Sequence, residues 1–168
     1  MNQDWQDFLA AQSAQIQDGV VSHFGDAATE RLAARDGTVL CDLSQFGTLR
    51  VSGEDAQTLL QNLLSNDIRE AGNTRAQLSS LNSPKGRMLA TMLIWRAGED
   101  YLLQLPRTLC EPIRKKLGMY VLRAKVKITD ASDEIISLGL SGANAQEVLQ
   151  GKFDELPKLP LGCIGIEQ

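Results

Sequence analysis

The chain has 168 residues, 43% apolar and 23% charged, with a net charge of −4; that supports a sizeable core and excludes a disordered or low-complexity chain. No run of about 18 apolar residues is present, so nothing reads as a membrane span. The acidic, polar start MNQDWQDFLAAQSAQ matches neither a secretory signal nor an Arg-rich transit peptide, and the expectation is a cytoplasmic protein.

In chain order, the stretch from Trp5 to His23 carries Phe8, Leu9, Ile16, Val20 and Val21, and this loose spacing predicts an amphipathic helix followed by a polar loop. TVLCDL after Gly37 and GTLRVSG after Phe46 read as strands, the second alternating Leu49 and Val51 on one face. EDAQTLLQNLL places Ala56, Leu59, Leu60, Leu63 and Leu64 on one helical face, with Ser52 and Asp55 in a variant capping-box spacing. AQLSSLN predicts a strand and SPKGR a turn, where Pro84 fixes one dihedral and Gly86 tolerates positive φ.

MLATMLIWR and DYLLQLP, joined by AGE, predict a hairpin. A second helix is expected from Thr108, paired with Glu111 as a capping box, with Leu109, Ile113, Leu117, Tyr120 and Val121 as its apolar face. KVKITD and EIISLGL then read as strands, and DELPKLPLG has two prolines and no periodicity.

One pattern recurs. VSGEDAQTLLQ (51–61) and LSGANAQEVLQ (140–150) share six of eleven residues, and each passes from a strand through Ser-Gly into a helix. Two such units suggest one sheet built from two halves, as in ferredoxin-like folds. Hairpins interleaved with helices argue for an α+β fold with a mostly antiparallel sheet. The organisation expected is one domain over 1–153, with 1–36 as a peripheral helical segment, and 154–168 as a linker or the start of a further region.

The residues alone offer no catalytic constellation. Cys41, Cys110 and Cys163 are far apart and lack CxxC spacing, and His23 is the single histidine; neither a disulfide framework nor a metal site is expected. Charge is uneven: residues 83–129 hold ten basic and three acidic side chains, a balance of +7 against −11 elsewhere. Such a stretch suits an anionic ligand or a nucleic acid, or is a solvated face. Within it, Asn82-Ser83-Pro84-Lys85-Gly86-Arg87 could form a nest for a carboxylate or phosphate, or an ordinary hairpin turn. Asn66 and Asp67, just after a helix, suit a cap or Asx turn and are compatible with facing a ligand.

Read together and in order, VSGEDAQTLLQNLLSNDI, AQLSSLNSPKGRMLATMLIWR, DYLLQLP and KLGMYVLRAKVKITDAS resemble the glycine-cleavage T-protein (aminomethyltransferase) family from about Asp42 to Ser141. T-proteins have a pair of aspartates after a Gly-Gly turn; Ala90 and Thr91 stand there in GRMLATML. Without that carboxylate, aminomethyl transfer lacks its expected electrostatic and proton-handling group. The NSPKGRMLA run is instead similar to the YgfZ-like branch. That resemblance implies binding of tetrahydrofolate or a one-carbon derivative, and support of iron–sulfur enzymes, including tRNA-modifying ones, as clients.

The resemblance places Phe46, Asn66, Leu78, Asn82 and Lys85 near the folate, with Phe46 on the pterin and Leu78 where T-proteins often stack a tyrosine. Arg87 and Arg123 would meet the glutamate tail, or serve as surface charge. It covers the family's N-terminal half. The KGCxxGQE-type motif of the second half is not found, and Cys163 in LGCIGIEQ is no match for it. The expectation is therefore a stretch of a longer protein or a reduced family member. A folate-dependent one-carbon transferase and an RNA-binding module are the alternative readings.

Overall fold

The computed structural model describes residues 1–165. They fall into two compact units: residues 1–46 with 132–156, and 47–131 with the chain from 157 onward.

The first unit opens with α1 (Gln3–Ala11), capped by the Asn2 side chain. The helix expected over Trp5–His23 stops there. Ala14 onward instead forms a hairpin of β1 (Gln15–Gln17) and β2 (Val20–His23), with Gln17 opposite Val20. Its turn residues Asp18 and Gly19 have φ of 52° and 74°, the double left-handed geometry that Asp-Gly adopts in tight hairpins. The expected polar loop is partly α2 (Ala27–Asp36), because the Asp26 carboxylate accepts from the N–H groups of Ala28 and Thr29 and so caps a helix there. β3 (Val39–Asp42) pairs antiparallel with β9 (Leu138–Ser141), which leads into α5 (Ala145–Gln150).

The second unit is a five-stranded sheet in the order β5-β6-β7-β4-β8. Its strands are β4 (Phe46–Ser52), β5 (Gln77–Asn82), β6 (Met88–Ala97), β7 (Asp100–Pro106) and β8 (Lys127–Asp130). The β5–β6, β6–β7 and β4–β8 pairs are antiparallel. Strand alternation sends Leu49, Val51, Leu81, Met92, Ile94 and Leu103 to one face, where they are buried with residues of α3 (Ala56–Leu63) and α4 (Arg107–Gly118). The α+β class and the antiparallel pairing are as the sequence implies.

Two local readings are corrected. Neither capping box forms. Asp55 accepts no bond from α3; its Oδ2 takes the Lys125 backbone N–H at 2.8 Å and ties α3 to the start of β8. α4 begins one residue earlier than Thr108, and Glu111 pairs with Arg114 and Lys115. The two repeat copies also do not share a sheet: β4 lies in the five-stranded sheet and β9 in a two-stranded one. No described helix is long and apolar enough to cross a membrane.

Candidate functional site

The site is built on β5, the edge strand of the larger sheet. After α3 the chain turns and runs along that edge. Leu64 bridges Leu81, and Ser65 exchanges backbone contact with Ser80, its N–H donating to the Ser80 carbonyl at 3.0 Å. Ser65 Oγ accepts from Ser80 N at 3.0 Å. Asn66 completes the seam: its Nδ2 donates to the Leu78 carbonyl at 2.8 Å. An edge strand exposes unpaired backbone groups, and this short polar run satisfies several of them with serine and asparagine.

Asp67 then opens a 3-10 turn (Ile68–Glu70), its side chain accepting from the Arg69 backbone and from Arg69 Nε at 2.8 Å. Those side-chain and backbone bonds from Arg69 hold the Asp67 carboxyl below the usual carboxylate range. Gln61 Oε1 accepts from Ile68 N at 2.8 Å and pins the same turn to α3. Asn66 is therefore held from both sides, with an exposed side chain.

Leu78 is 60% exposed, between the buried Gln77 and Ser79. Its cross-strand partner is Leu93, which in turn opposes Gln104. Alternation places Trp95 and Leu102, themselves directly opposed, on that same sheet face. The result is one exposed leucine, Leu78, beside the half-buried Leu93 and Trp95, with Leu102 buried beneath them. Trp95 and Leu93 were missed from the sequence; strand alternation within MLATMLIWR would have found them once β5 and β6 were in register.

At the end of β5 the chain bends. Ser83 N–H donates to the Arg87 carbonyl at 2.7 Å, Ser83 Oγ accepts from Arg87 N at 3.1 Å, and Gly86 takes φ 73°. This tight turn leaves Lys85 and Arg87 exposed, close in sequence to the exposed Asn82. The structure thus joins Asn66 directly to Leu78 and sets Asn82, Lys85 and Arg87 at the adjoining turn. Phe46 opens β4 and belongs to the other compact unit, and Arg123 is exposed in the turn after α4, beside Leu122 at φ 45°. Neither is tied to the group by a hydrogen bond or ion pair among the described residues.

β6 runs from Met88 to Ala97 without a single carboxylate, with Ala90 buried against the core and Thr91 exposed. Nothing on this strand could take or relay a proton as an aspartate would.

A family model described as the GCVT N-terminal domain matches residues 8–159. The chain belongs to that family. It is 31% identical over 135 residues to an aminomethyltransferase from Caldanaerobacter subterraneus, covering 79% of this chain and 36% of that protein. An aminomethyltransferase from Exiguobacterium sibiricum is 34% identical over 76% of this chain and 35% of its own length. A protein named tRNA-modifying protein YgfZ, from an Enterobacter species, is 29% identical over 74% of this chain and 38% of its own. The chain therefore spans little more than a third of each of these relatives. The crystal structure of the glycine cleavage system aminomethyltransferase T from Bartonella henselae superimposes with a TM-score of 0.74 at 19% identity, over 90% of this chain and 44% of that one. That likeness shows the T-protein fold.

Proposed function

We propose that the protein binds a tetrahydrofolate derivative and serves as an accessory factor for iron–sulfur enzymes, tRNA-modifying enzymes among them, without aminomethyltransferase activity. The observation that carries this reading is the pairing of a built polar rim with a missing acid. Asn66 offers an amide beside the exposed Leu78, and Asn82, Lys85 and Arg87 offer an amide and two cations at the turn that ends β5, while β6 has no carboxylate. A pterin has a flat ring that suits Trp95 and Leu78, with amide and amine edges that asparagines can bond. A folate tail ends in carboxylates, which Lys85, Arg87 and Arg123 would meet. Transfer of an aminomethyl group would need a positioned group to stabilise charge and handle the proton, and the strand where the family resemblance expects it has none. The domain over 1–153 is the folate-binding part.

Cells depleted of the protein should lose activity of an iron–sulfur tRNA-modifying enzyme. Wild-type protein should restore it, and a protein carrying Asn82→Ala and Lys85→Ala should not. Full rescue by that double variant would contradict the reading. The aminomethyltransferases among the relatives favour a second reading, a folate-dependent one-carbon transferase. Catalytic consumption of a methyl- or formyl-tetrahydrofolate by the purified protein would establish it in place of the first.

A further inference from the structure

Three serines stand behind the asparagine of the candidate site. Ser65 is exposed, while Ser79 and Ser80 of β5 are buried. Their contacts converge on the Ser65 hydroxyl. It accepts the Ser80 N–H at 3.0 Å, donates to Asn66 Oδ1 at 3.1 Å and lies 3.4 Å from the Ser79 hydroxyl. A hydroxyl has one proton and two lone pairs. At Ser65 the proton goes to Asn66 and one lone pair meets the Ser80 N–H, so the Ser79 hydroxyl is the donor to the second lone pair. Ser79 Oγ in turn accepts the Asn66 backbone N–H at 3.3 Å.

This arrangement fixes the Asn66 amide. A primary amide has two N–H donors and two carbonyl lone pairs. One N–H of Asn66 goes to the Leu78 carbonyl at 2.8 Å, and one lone pair takes the Ser65 proton. A flipped amide would set two acceptors together at Leu78 and two donors together at Ser65, so the side chain is held in one orientation. What stays free is one donor and one acceptor, in fixed order, on an exposed side chain joined to the exposed Leu78.

We propose that Ser65 is a positioning residue that sets the ligand specificity of this site through the Asn66 amide. The inference rests on the folate reading. An amide held in one orientation bonds a ligand edge that offers acceptor and donor in one order, and leaves the reverse order unpaired. The pyrimidine ring of a pterin carries such an edge, an oxo acceptor next to an N–H donor. A 4-amino pteridine carries the reverse, an amino donor next to a bare ring nitrogen. The locked amide chooses the oxo ring over the amino ring, whereas an amide free to turn takes either.

Calorimetric titration with tetrahydrofolate and with tetrahydroaminopterin, which differ only along that edge, tests the inference. The wild-type protein should bind tetrahydrofolate at least about tenfold more tightly, the effect of one lost hydrogen bond. Ser65→Ala should bring the two affinities together, chiefly by admitting the amino compound. Ser65→Thr keeps the hydroxyl and should restore the difference. A role confined to the stability of the strand edge would weaken both ligands alike and leave their ratio where it was. Ser65→Cys, of similar shape but with a weak donor, is the second variant should Ser65→Ala not fold, and it should narrow the ratio as well. A ratio unchanged by these substitutions, or equal binding of the two compounds by the wild-type protein, would overturn the inference and leave the folate reading standing. Binding of neither compound by the wild-type protein would overturn both.

Discussion

At the scale of single residues, Asn66 is the best-anchored member of the candidate site. Its amide spans from the end of α3 to the Leu78 carbonyl, so one side chain both seals the edge of β5 and fixes a polar group beside an exposed leucine. Asn66→Ala should cost about 1 kcal/mol of stability by chemical denaturation. Asp67 next to it predicts a pH dependence. Its folded pKa lies below the unfolded value, because Arg69 bonds the charged form. The stabilisation is therefore complete above the ordinary carboxylate pKa and is lost as pH falls through the lower folded value. An NMR titration of the carboxyl should show a midpoint below the usual aspartate value, and Arg69→Ala should move it up toward that value.

At the scale of elements, the strand-to-helix turns depend on glycine for two reasons at once, left-handed φ and lack of room. Gly53→Ala should destabilise the larger unit by at least about 2 kcal/mol, whereas Gly86→Ala, with a left-handed φ but open space around it, should cost only about 1 kcal/mol. Urea denaturation of the two variants compares them directly. The same elements show what could be read in advance. α3 and α4 were legible because their leucines and isoleucine repeat at helical spacing, and the β6–β7 hairpin because two apolar runs flank a glycine. The caps were not, because Asp55 and Glu111 found better partners in Lys125 and in Arg114 and Lys115, none of which spacing reveals. The β1–β2 hairpin was overlooked because Val20 and Val21 fit a weak helical pattern, although Asp18-Gly19 is itself a strong turn signal. At the site, Asn66 and Leu78 were grouped only through family resemblance, and the structure joins them by one hydrogen bond. The seam that joins them is a long-range strand-edge contact, which local pattern cannot show.

At the scale of the whole molecule, membership of the GCVT N-terminal domain family and a T-protein fold rest on matches to most of this chain, while the chain spans only about a third of its curated relatives. The reading of function turns on whether the larger sheet, with its asparagines and cations but no β6 carboxylate, holds a folate without turning it over. Calorimetric titration with 5-formyltetrahydrofolate tests this most directly. The account predicts saturable binding that Asn82→Ala and Lys85→Ala each weaken about tenfold, the effect of losing one hydrogen bond to a charged or polar ligand group. Absence of binding, or binding indifferent to both substitutions, would contradict it.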